Sequence, residues 1–547
     1  MVNLEAGTYS AVITPPYDGD RTMSFKSTLS TDVTGTLAAD KVQTLTLGRR
    51  GQNGRLSFAG TAGQTVALQV AAQATAPADR LTYYTVYKPD GAVLNSTSAG
   101  SNGTSATTLN LPNLPATGTY TVFVDPYQGE TLSTQLTLAT GTTSGQVTNG
   151  ASGSFATSIP QQNVYLTFTA TAGQNLGLAL SDLVTPNTTN YAYLTVYKSD
   201  GGAVASQLCY AANNGCQTNL VNLEAGTYSA VITPPYDGDR TMSFKSTLST
   251  DVTGTLAADK VQTLTLGRRG QNGRLSFAGT AGQTVALQVA AQATAPADRL
   301  TYYTVYKPDG AVLNSTYAGS NGTSATTLNL PNLPATGTYT VFVDPYQGET
   351  LSTQLTLATG TTSGQVTNGA SGSFATTVPG QNVYLTFTAT AGQNMGFALS
   401  NLVTPNSTNA VYFVVYRADG AGIASQNCYV SSGGCQVNLA NLDAGTYSVV
   451  ITPPYNGDQT MSFKSTLSTD VTGTLVADKV QTLTLGRRGQ NGRLSFAGTA
   501  GQTVALQVAG QTTVPAERTT YYTVYKPDGA HLNSVGATSE ATLERVM

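Results

Sequence analysis

The sequence predicts an all-β chain of tandem antiparallel β-sandwich domains, jelly-roll or Ig-like, of about 110 residues each and in two alternating types. Three observations lead to this prediction: a phrase that recurs at near-constant spacing, segments that alternate apolar and polar residues, and turn sequences between them. The chain has 547 residues, which is too long for one hydrophobic core. Several domains are therefore expected, and the repeat sets their size.

A phrase built around Gly-Thr-Tyr occurs five times, as in "NLPATGTYTVFVDPY" from Asn113. The spacing between its glycines alternates between 111 and 108 residues, at Gly7, Gly118, Gly226, Gly337 and Gly445. This alternation indicates two related units, A and B, joined in a pair that is then copied. Residues 2–157 and 221–376 differ only at Ser98, which is Tyr317 in the second copy. The period exceeds the roughly 20–50 residues of a solenoid repeat, so we expect each unit to close as a domain.

Polar segments such as "LSTDVTGTL" place the boundaries between the units. The predicted sequence of domains is the C-terminal part of a B-type sandwich at 1–32, an A-type sandwich at 33–142, a B-type sandwich with a hairpin disulfide at 143–251, an A-type sandwich at 252–361, a second B-type sandwich with a hairpin disulfide at 362–470 and a truncated A-type sandwich at 471–547.

Within each unit, apolar and polar residues alternate with period two, as in "TYTVFV" from Thr119 and "QTVALQV" from Gln64. Turn sequences separate these segments, and "KPDG" from Lys88 places Pro and Asp-Gly at successive corners. The best helix candidate, "LAADKVQ" from Leu37, is too short to stand alone. The pattern is typical of short antiparallel strands with one apolar face.

The order of "TAGQ" from Thr61, "YTVYKPDG" from Tyr84 and then the phrase from Asn113 resembles the bacterial pre-peptidase C-terminal domain group. The near-verbatim tandem copying also resembles repeat regions of large secreted bacterial proteins, of the adhesin or RHS/YD-repeat type. The resemblance implies a jelly-roll-like sandwich in an extracellular bacterial setting. It implies no catalytic residue, because such modules are usually accessories.

Four cysteines occur in the B-type units, as Cys209 with Cys216 and Cys428 with Cys435. Each pair encloses a short turn between two strand segments, which brings its ends within reach of a disulfide bond. The alternative is half of a four-thiolate zinc site, for which the spacing is too long. We predict two hairpin disulfides and therefore an oxidising compartment.

Acidic residues cluster in two turns, "PPYDGDR" of the B type and "DPYQGE" of the A type. A plain hairpin turn is the favoured interpretation, since Asp-Gly is a preferred turn sequence. Calcium is the alternative, because Ca²⁺ binds clustered oxygen ligands, and no other cofactor is expected. The candidate ligands are Asp18, Asp20, Asp237, Asp239, Asp125 and Glu130.

Tyrosines are the candidate ligand-binding residues, because the chain has 29 Tyr and no Trp. Core and cross-strand packing is the favoured interpretation of these tyrosines, because part of each set on a strand of period two must face the core. Stacking on a ligand is the alternative, and its candidate residues are Tyr84, Tyr193 and Tyr317. Catalysis is not expected, because the chain's one histidine, His531, has no counterpart in the other A-type units. We therefore expect no catalytic residue and no enzyme.

The net charge of −3 offers no basic surface for nucleic acid, and no apolar run reaches the length of a membrane span. No signal peptide is visible, but Met1 falls inside a repeat, so we expect a fragment whose export signal lies elsewhere. The expected function is a semi-rigid spacer and adhesion scaffold of a secreted or cell-surface bacterial protein. The expected partners are neighbouring repeats and a cell-surface glycan or protein. The alternatives are a multivalent carbohydrate-binding array, and an accessory region of an exported toxin or hydrolase encoded outside the fragment.

Overall fold

A computed structural model describes residues 4–15, 22–100, 103, 106–235, 241–319, 325–454 and 459–544. These residues form an all-β structure without an α-helix, which confirms the expected structural class. Four short 3-10 turns interrupt the strands, at Tyr127–Gly129, Ala211–Asn213, Tyr346–Gly348 and Val430–Ser432. The chain divides into two compact units. The first comprises residues 1–362, 376–381 and 455–460, and the second comprises residues 363–375, 382–454 and 461–547.

In the first unit, the described residues before Val33 form no strand. The repeat 33–142 then forms a five-stranded sheet of order β1-β3-β8-β5-β6 and a four-stranded sheet of order β2-β9-β4-β7. Its strands are β1 Val33–Thr36, β2 Val42–Leu47, β3 Gly54–Gly60, β4 Val66–Ala76, β5 Thr82–Tyr87, β6 Val93–Ala99, β7 Thr107–Leu111, β8 Gly118–Pro126 and β9 Thr131–Ala139.

The repeat 143–251 forms one continuous nine-stranded sheet of order β10-β12-β17-β14-β15-β16-β13-β18-β11. A pairing between Tyr210 and Gly215 joins its two halves, within the hairpin that carries Cys209 and Cys216. The strands are β10 Ser144–Gln146, β11 Ser152–Ala156, β12 Val164–Ala170, β13 Gln174–Val184, β14 Tyr191–Lys198, β15 Ala203–Tyr210, β16 Gly215–Leu223, β17 Gly226–Thr233 and β18 Ser243–Thr250.

The repeat 252–361 restores the five-stranded and four-stranded arrangement, as β19-β21-β26-β23-β24 and β20-β27-β22-β25. Its strands are β19 Val252–Thr255, β20 Val261–Leu266, β21 Gly273–Gly279, β22 Val285–Ala295, β23 Thr301–Tyr306, β24 Val312–Ala318, β25 Thr326–Leu330, β26 Gly337–Pro345 and β27 Thr350–Ala358.

The second unit contains two larger sheets, β28-β30-β35-β32-β33 and β29-β36-β31-β34, and the two-stranded pairs β37-β38, β39-β42 and β40-β41. Its strands are β28 Ser363–Gln365, β29 Ser371–Ala375, β30 Val383–Ala389, β31 Gln393–Val403, β32 Ala410–Tyr416, β33 Gly422–Tyr429, β34 Gly434–Leu442, β35 Gly445–Thr452, β36 Ser462–Thr469, β37 Val471–Thr474, β38 Gly492–Ser495, β39 Ala505–Val508, β40 Thr520–Tyr525, β41 His531–Ala537 and β42 Ala541–Glu544.

The strands that carry the Gly-Thr-Tyr phrase supply the centre of each core. In β8, Tyr120, Val122 and Val124 are fully buried, while the residues between them are partly exposed. The ring of Tyr120 stacks on Phe58 of β3, with 5.3 Å between the ring centroids. Burial of each such side chain contributes about 1.5–3 kcal/mol, so this phrase recurs because each repeat needs the same central strand.

The prediction of discrete tandem antiparallel sandwich domains is wrong. The strands follow a β-solenoid of about 21 turns, and one compact unit takes in three successive repeats. The pairing is also not purely antiparallel, because β1 pairs with β3, and β10 with β12, in parallel. Period-two alternation shows that one face of a strand is buried. It does not show whether the next strand closes a separate domain or continues the winding.

Candidate functional site at the joint between two repeats

In the first unit, strand β16 of the repeat 143–251 meets the end of strand β26 of the repeat 252–361. Gln217 and Asn219 lie two positions apart on β16, so both side chains leave the same face of the strand. Asp344 lies at the end of β26, directly before the turn Tyr346–Gly348. The joint therefore brings two amide side chains from one repeat to a carboxylate from the next.

Both amides donate to the carboxylate of Asp344. Gln217 Nε2 donates to Asp344 Oδ1 at 2.6 Å, and Asn219 Nδ2 donates to Asp344 Oδ2 at 3.0 Å. Gln217 Nε2 also lies 3.0 Å from Asn219 Oδ1 and 3.0 Å from Asn272 Oδ1. A single NH₂ group thus faces three acceptors with two hydrogens.

The network continues into the repeat 252–361. Asn272 is fully buried and its Nδ2 donates to Asn219 Oδ1 at 2.8 Å and to Asp251 Oδ1 at 3.2 Å. Asp251 in turn pairs with Arg274, with 2.6 Å between Asp251 Oδ2 and the Nε atom. The Arg274 guanidinium stacks over Phe342, 4.3 Å from the ring centroid. These contacts fix the orientation of the groups that face Asp344.

Burial raises the pKa of Asp344 to about 6. The hydrogen bond from Asn219 and the charge of Arg274 act in the opposite direction, while the nearby charge of Asp251 raises the pKa further. Burial has the largest effect because it removes water from the charged form of the carboxyl group. The joint therefore holds a carboxylate that would gain from further hydrogen-bond donors.

A cleft of about 430 Å³ opens beside this network. Three tyrosines line it, Tyr193 and Tyr210 from the repeat 143–251 and Tyr346 from the repeat 252–361. Its other lining residues are Ser206, Gln207, Leu208, Asn213 and Gln347. The amide nitrogen of Asn213 lies 3.5 Å from the hydroxyl oxygen of Tyr346, across the joint.

A second cleft of about 270 Å³ adjoins the first, and Gln207, Tyr346 and Gln347 line both. Asp344 lines the second cleft, together with Gln217, Thr218, Asn219, Tyr302 and Pro345. Aromatic rings, neutral amides and one carboxylate thus border a continuous polar opening. Such a set can stack on a flat ligand and exchange hydrogen bonds with its hydroxyl groups.

In the described residues of the first copy of the same A-type sequence, no such site forms. Asp125 stands where Asp344 stands in the second copy, but it is exposed, and Tyr127, the counterpart of Tyr346, is 41% exposed. The described residues that precede the first copy form no strand to cover Asp125. Identical sequences therefore differ here because β16 packs beside Asp344, whereas no described strand covers Asp125.

The structure forms both disulfide bonds that the sequence predicts. Cys209 and Cys216 join the ends of β15 and β16, with 4.8 Å between their Cα atoms. Cys428 and Cys435 join β33 and β34 in the same way, with 5.0 Å between their Cα atoms. The first disulfide adjoins both Tyr210 and Gln217, so it also fixes the hairpin that supplies the joint.

In the described part of the chain, no group of three or more His, Cys, Asp or Glu side chains is placed to hold a metal ion such as calcium. Asp125 is exposed, whereas Glu130 is 3% exposed and lies 3.8 Å from Arg80. The other four candidate ligands fall outside the described residues: Asp18, Asp20, Asp237 and Asp239.

The three candidate tyrosines lie in different environments. Tyr84 is fully buried and its hydroxyl donates to Gln73 Oε1 at 2.8 Å, so its ring is not available to a ligand and its place among the ligand-binding candidates is wrong. Period two separates the faces of a strand but does not say which face is the core. Tyr193 is 43% exposed and lines the cleft. Tyr317 is 62% exposed on β24, opposite Tyr302.

Sequence reasoning missed Gln217, Asn219, Asn272 and Tyr210. The available signal was the pair of amide residues at alternate positions directly after Cys216, on a strand already marked by the cysteine. Their meeting with Asp344 could not be seen, because it joins residues more than a hundred positions apart. In the described residues, no helix is both long and apolar enough to cross a membrane.

No protein-family model matches the chain, and no curated protein matches it. Solved structures similar to it include the CUB1-EGF-CUB2 domains of human MASP-1/3, at 10% identity over 37% of this chain and 99% of that one, with a TM-score of 0.14. The tandem CBM51 modules of Sp3GH98, a family 98 glycoside hydrolase of Streptococcus pneumoniae, are 10% identical over 37% and 83%, with a TM-score of 0.12.

A third similar structure contains the M60 catalytic domain with two CBM51 domains of ZmpB from Clostridium perfringens. It is 10% identical over 71% of this chain and 52% of that one, with a TM-score of 0.13. These neighbours are β-rich modules of CUB and CBM51 type. At such low TM-scores none of the similarities carries an argument about function, and no family model supports the resemblance to the pre-peptidase C-terminal group.

Proposed function

We propose that this chain is a non-catalytic spacer and adhesion scaffold of a secreted or cell-surface bacterial protein. The observation that carries the proposal is that hydrogen bonds and close backbone contacts close both joints of the first unit. Repeats joined in this way hold a fixed relative orientation, as a spacer requires. The two disulfide bonds are compatible with an extracellular protein.

The joint between 33–142 and 143–251 is closed by reciprocal amide contacts. Asn110 Nδ2 donates to the carbonyl oxygen of Gln161 at 3.0 Å, and Asn110 Oδ1 accepts from the backbone N–H of Asn163 at 2.9 Å. An apolar cluster of Ala67, Ala139 and Ile159 lies at the same joint. These contacts oppose a hinge motion between the two repeats.

At the joint between 143–251 and 252–361, two backbones pack directly against each other. A Cβ atom added to Gly177 would overlap the carbonyl oxygen of Gly270, and one added to Gly270 would lie 2.9 Å from the Cβ of Ala179. Together with the hydrogen bonds to Asp344, this close approach opposes rotation of one repeat relative to the other. The proposal includes no catalytic step, since the chain has a single histidine.

Distances between spin labels test the scaffold function. Spin labels attached to noncanonical amino acids avoid cysteine chemistry and leave the disulfide bonds intact. Suitable pairs of exposed residues are Val93 with Val184 across the first joint and Val184 with Val312 across the second. A rigid scaffold gives one narrow distance distribution per pair, as narrow as that of a control pair within one repeat. Broad distributions across the joints would contradict the spacer function.

A second candidate function is multivalent glycan binding. The specific observation in its favour is the cleft lined by Tyr193, Tyr210 and Tyr346. Aromatic faces beside amide and carboxylate groups suit a ligand with both flat C–H surfaces and hydroxyl groups. Repetition of a weak site along a rigid chain would raise the overall affinity for a surface. A screen of the full chain against an oligosaccharide array tests this function.

A further inference from the structure

We propose that the cleft at the joint between 143–251 and 252–361 binds a neutral oligosaccharide, and that a complete B-type repeat followed by a complete A-type repeat is required to form it. This inference rests on the glycan-binding function proposed above. It adds the class of glycan, the residues that recognise it and the unit of the chain that constitutes one site.

The aromatic part of the site comes from both repeats. Tyr193 and Tyr210 are 43% and 39% exposed, which leaves ring surface available. Tyr210 contacts Tyr191 edge to face, with 5.6 Å between the centroids, and it is adjacent to the disulfide-bonded Cys209. These contacts hold the ring in place before a ligand arrives, which reduces the entropy lost on binding. Tyr346 completes the aromatic lining from the other repeat.

The polar part of the site has unused capacity for hydroxyl groups. The Asp344 carboxylate accepts two hydrogen bonds, from Gln217 and Asn219, whereas an ionised carboxylate offers about four lone-pair sites. The Gln217 NH₂ group faces three acceptors with two hydrogens, so one acceptor gains from an external donor. Sugar hydroxyls donate and accept hydrogen bonds, and they can fill this deficit without carrying charge.

The charges around the two clefts favour a neutral ligand. Their described lining contains no Lys, Arg or His, and Asp344 is the one charged residue among them. Arg274, whose charge acts on Asp344, is already paired with Asp251. An acidic sugar would therefore face the Asp344 carboxylate without an unpaired cation in the lining, which is unfavourable in a partly buried site. The first cleft, of about 430 Å³, lies within the range of roughly 300–1,000 Å³ that is usual for small-ligand sites, and the second, of about 270 Å³, adjoins it. This size suits a short oligosaccharide.

The site is composite, which separates it from the identical residues of the first A-type repeat. Asp125 and Tyr127 have the same flanking sequence as Asp344 and Tyr346, but they lack a β16-type strand beside them in the described structure. Within the described residues, the complete set therefore comes together at this joint. A site that needs a B-type and an A-type repeat also accounts for the copying of the two as a pair.

The test uses the full chain and a panel of neutral oligosaccharides of glucose, galactose, mannose and N-acetylglucosamine, with sialylated and uronic-acid oligosaccharides for comparison. The best neutral binder is then titrated by calorimetry against Tyr346→Ala and Asp344→Asn, with Tyr127→Ala and Asp125→Asn as matched controls. We expect one site per chain, a loss of about tenfold or more for the first two variants and no change for the controls.

The outcomes separate the site from the function. Binding that is equally sensitive to Tyr127→Ala, or insensitive to Tyr346→Ala, would overturn the composite site and leave glycan binding in place. Preferential binding of acidic oligosaccharides would overturn the neutral ligand class. Absence of binding to every oligosaccharide would overturn both the site and the glycan-binding function, while narrow spin-label distances would still support the scaffold. Circular dichroism shows whether each variant remains folded.

Discussion

Gln217 donates a hydrogen bond of 2.6 Å to Asp344, although the two residues belong to different repeats of the chain. The amide and the carboxylate thereby link the orientation of one repeat to that of the next. Because Asp344 also lines a tyrosine-bordered opening, the same contact connects the rigidity of the joint with its capacity to bind.

Replacement of Gln217 by leucine removes the donor and leaves the carboxylate with Asn219 alone. We expect Gln217→Leu to lower the free energy of unfolding by about 1.5–3 kcal/mol, the usual contribution of a hydrogen bond to a charged group. Calorimetry measures the loss, and hydrogen exchange of Gly337–Pro345 locates it. Gln436→Leu, at the equivalent position of the later B-type repeat, is the matched control. Unchanged exchange in Gly337–Pro345 would contradict the assigned contact.

The raised pKa of Asp344 predicts a pH dependence of stability. Its folded pKa of about 6 lies above the ordinary value of 3.8, so the folded chain binds this proton more tightly than the unfolded chain. The associated stability is fully present below about pH 4 and is lost as the pH rises through about 6, by on the order of 3 kcal/mol. Thermal unfolding between pH 4 and pH 7.5 measures this slope.

The substitution Asp344→Asn removes this titration. We expect the variant to unfold at a higher temperature than the wild type at pH 7.5, and its stability to change less between pH 4 and pH 7.5. Asp125→Asn, at the first copy of the position, should leave the slope nearly intact, because Asp125 is exposed to solvent. An unchanged slope in Asp344→Asn would show that another group titrates in this range.

A methyl group at Gly177 tests the close approach of the two backbones. It would collide with the carbonyl oxygen of Gly270, which is backbone and cannot move aside by a change of rotamer. We expect Gly177→Ala to destabilise the joint by about 1–3 kcal/mol and to broaden the spin-label distances across it. Gly267→Ala, where no atom lies within 4 Å of the added Cβ, is the control. Equal behaviour of the two variants would refute a tightly packed joint.

Removal of the disulfide between Cys209 and Cys216 tests its role in holding the hairpin. For a loop of this size the loss of chain entropy on closure predicts a stabilisation of about 2.5 kcal/mol. The double variant Cys209→Ser/Cys216→Ser should lower the unfolding temperature and weaken the binding of a neutral oligosaccharide, since Tyr210 and Gln217 flank the bond. The equivalent double substitution at Cys428 and Cys435 should lower stability alone. Equal loss of binding in both would contradict the assignment.

The sequence by itself determined the repeat, the β-rich class and the two hairpin disulfides. Each depends on local information: the spacing of the Gly-Thr-Tyr phrase, the alternation that gives a strand one apolar face, and cysteines close enough in the chain to meet. The same information favoured closed sandwich domains, which the described part of the chain does not form. Local patterns indicate which face of a strand is apolar, but they do not indicate which other strand it pairs with.

Tertiary structure decided the rest, as two identical segments show. Tyr9 and Tyr228 have the same flanking sequence, yet Tyr9 is 54% exposed outside any strand, whereas Tyr228 is 3% exposed in β17 and stacks on Phe168 at 5.4 Å. Asp125 and Asp344 differ in the same way. A strand needs hydrogen-bonding and packing partners that lie far away in the sequence. Identical residues therefore form a core strand or a binding joint only where those partners are present.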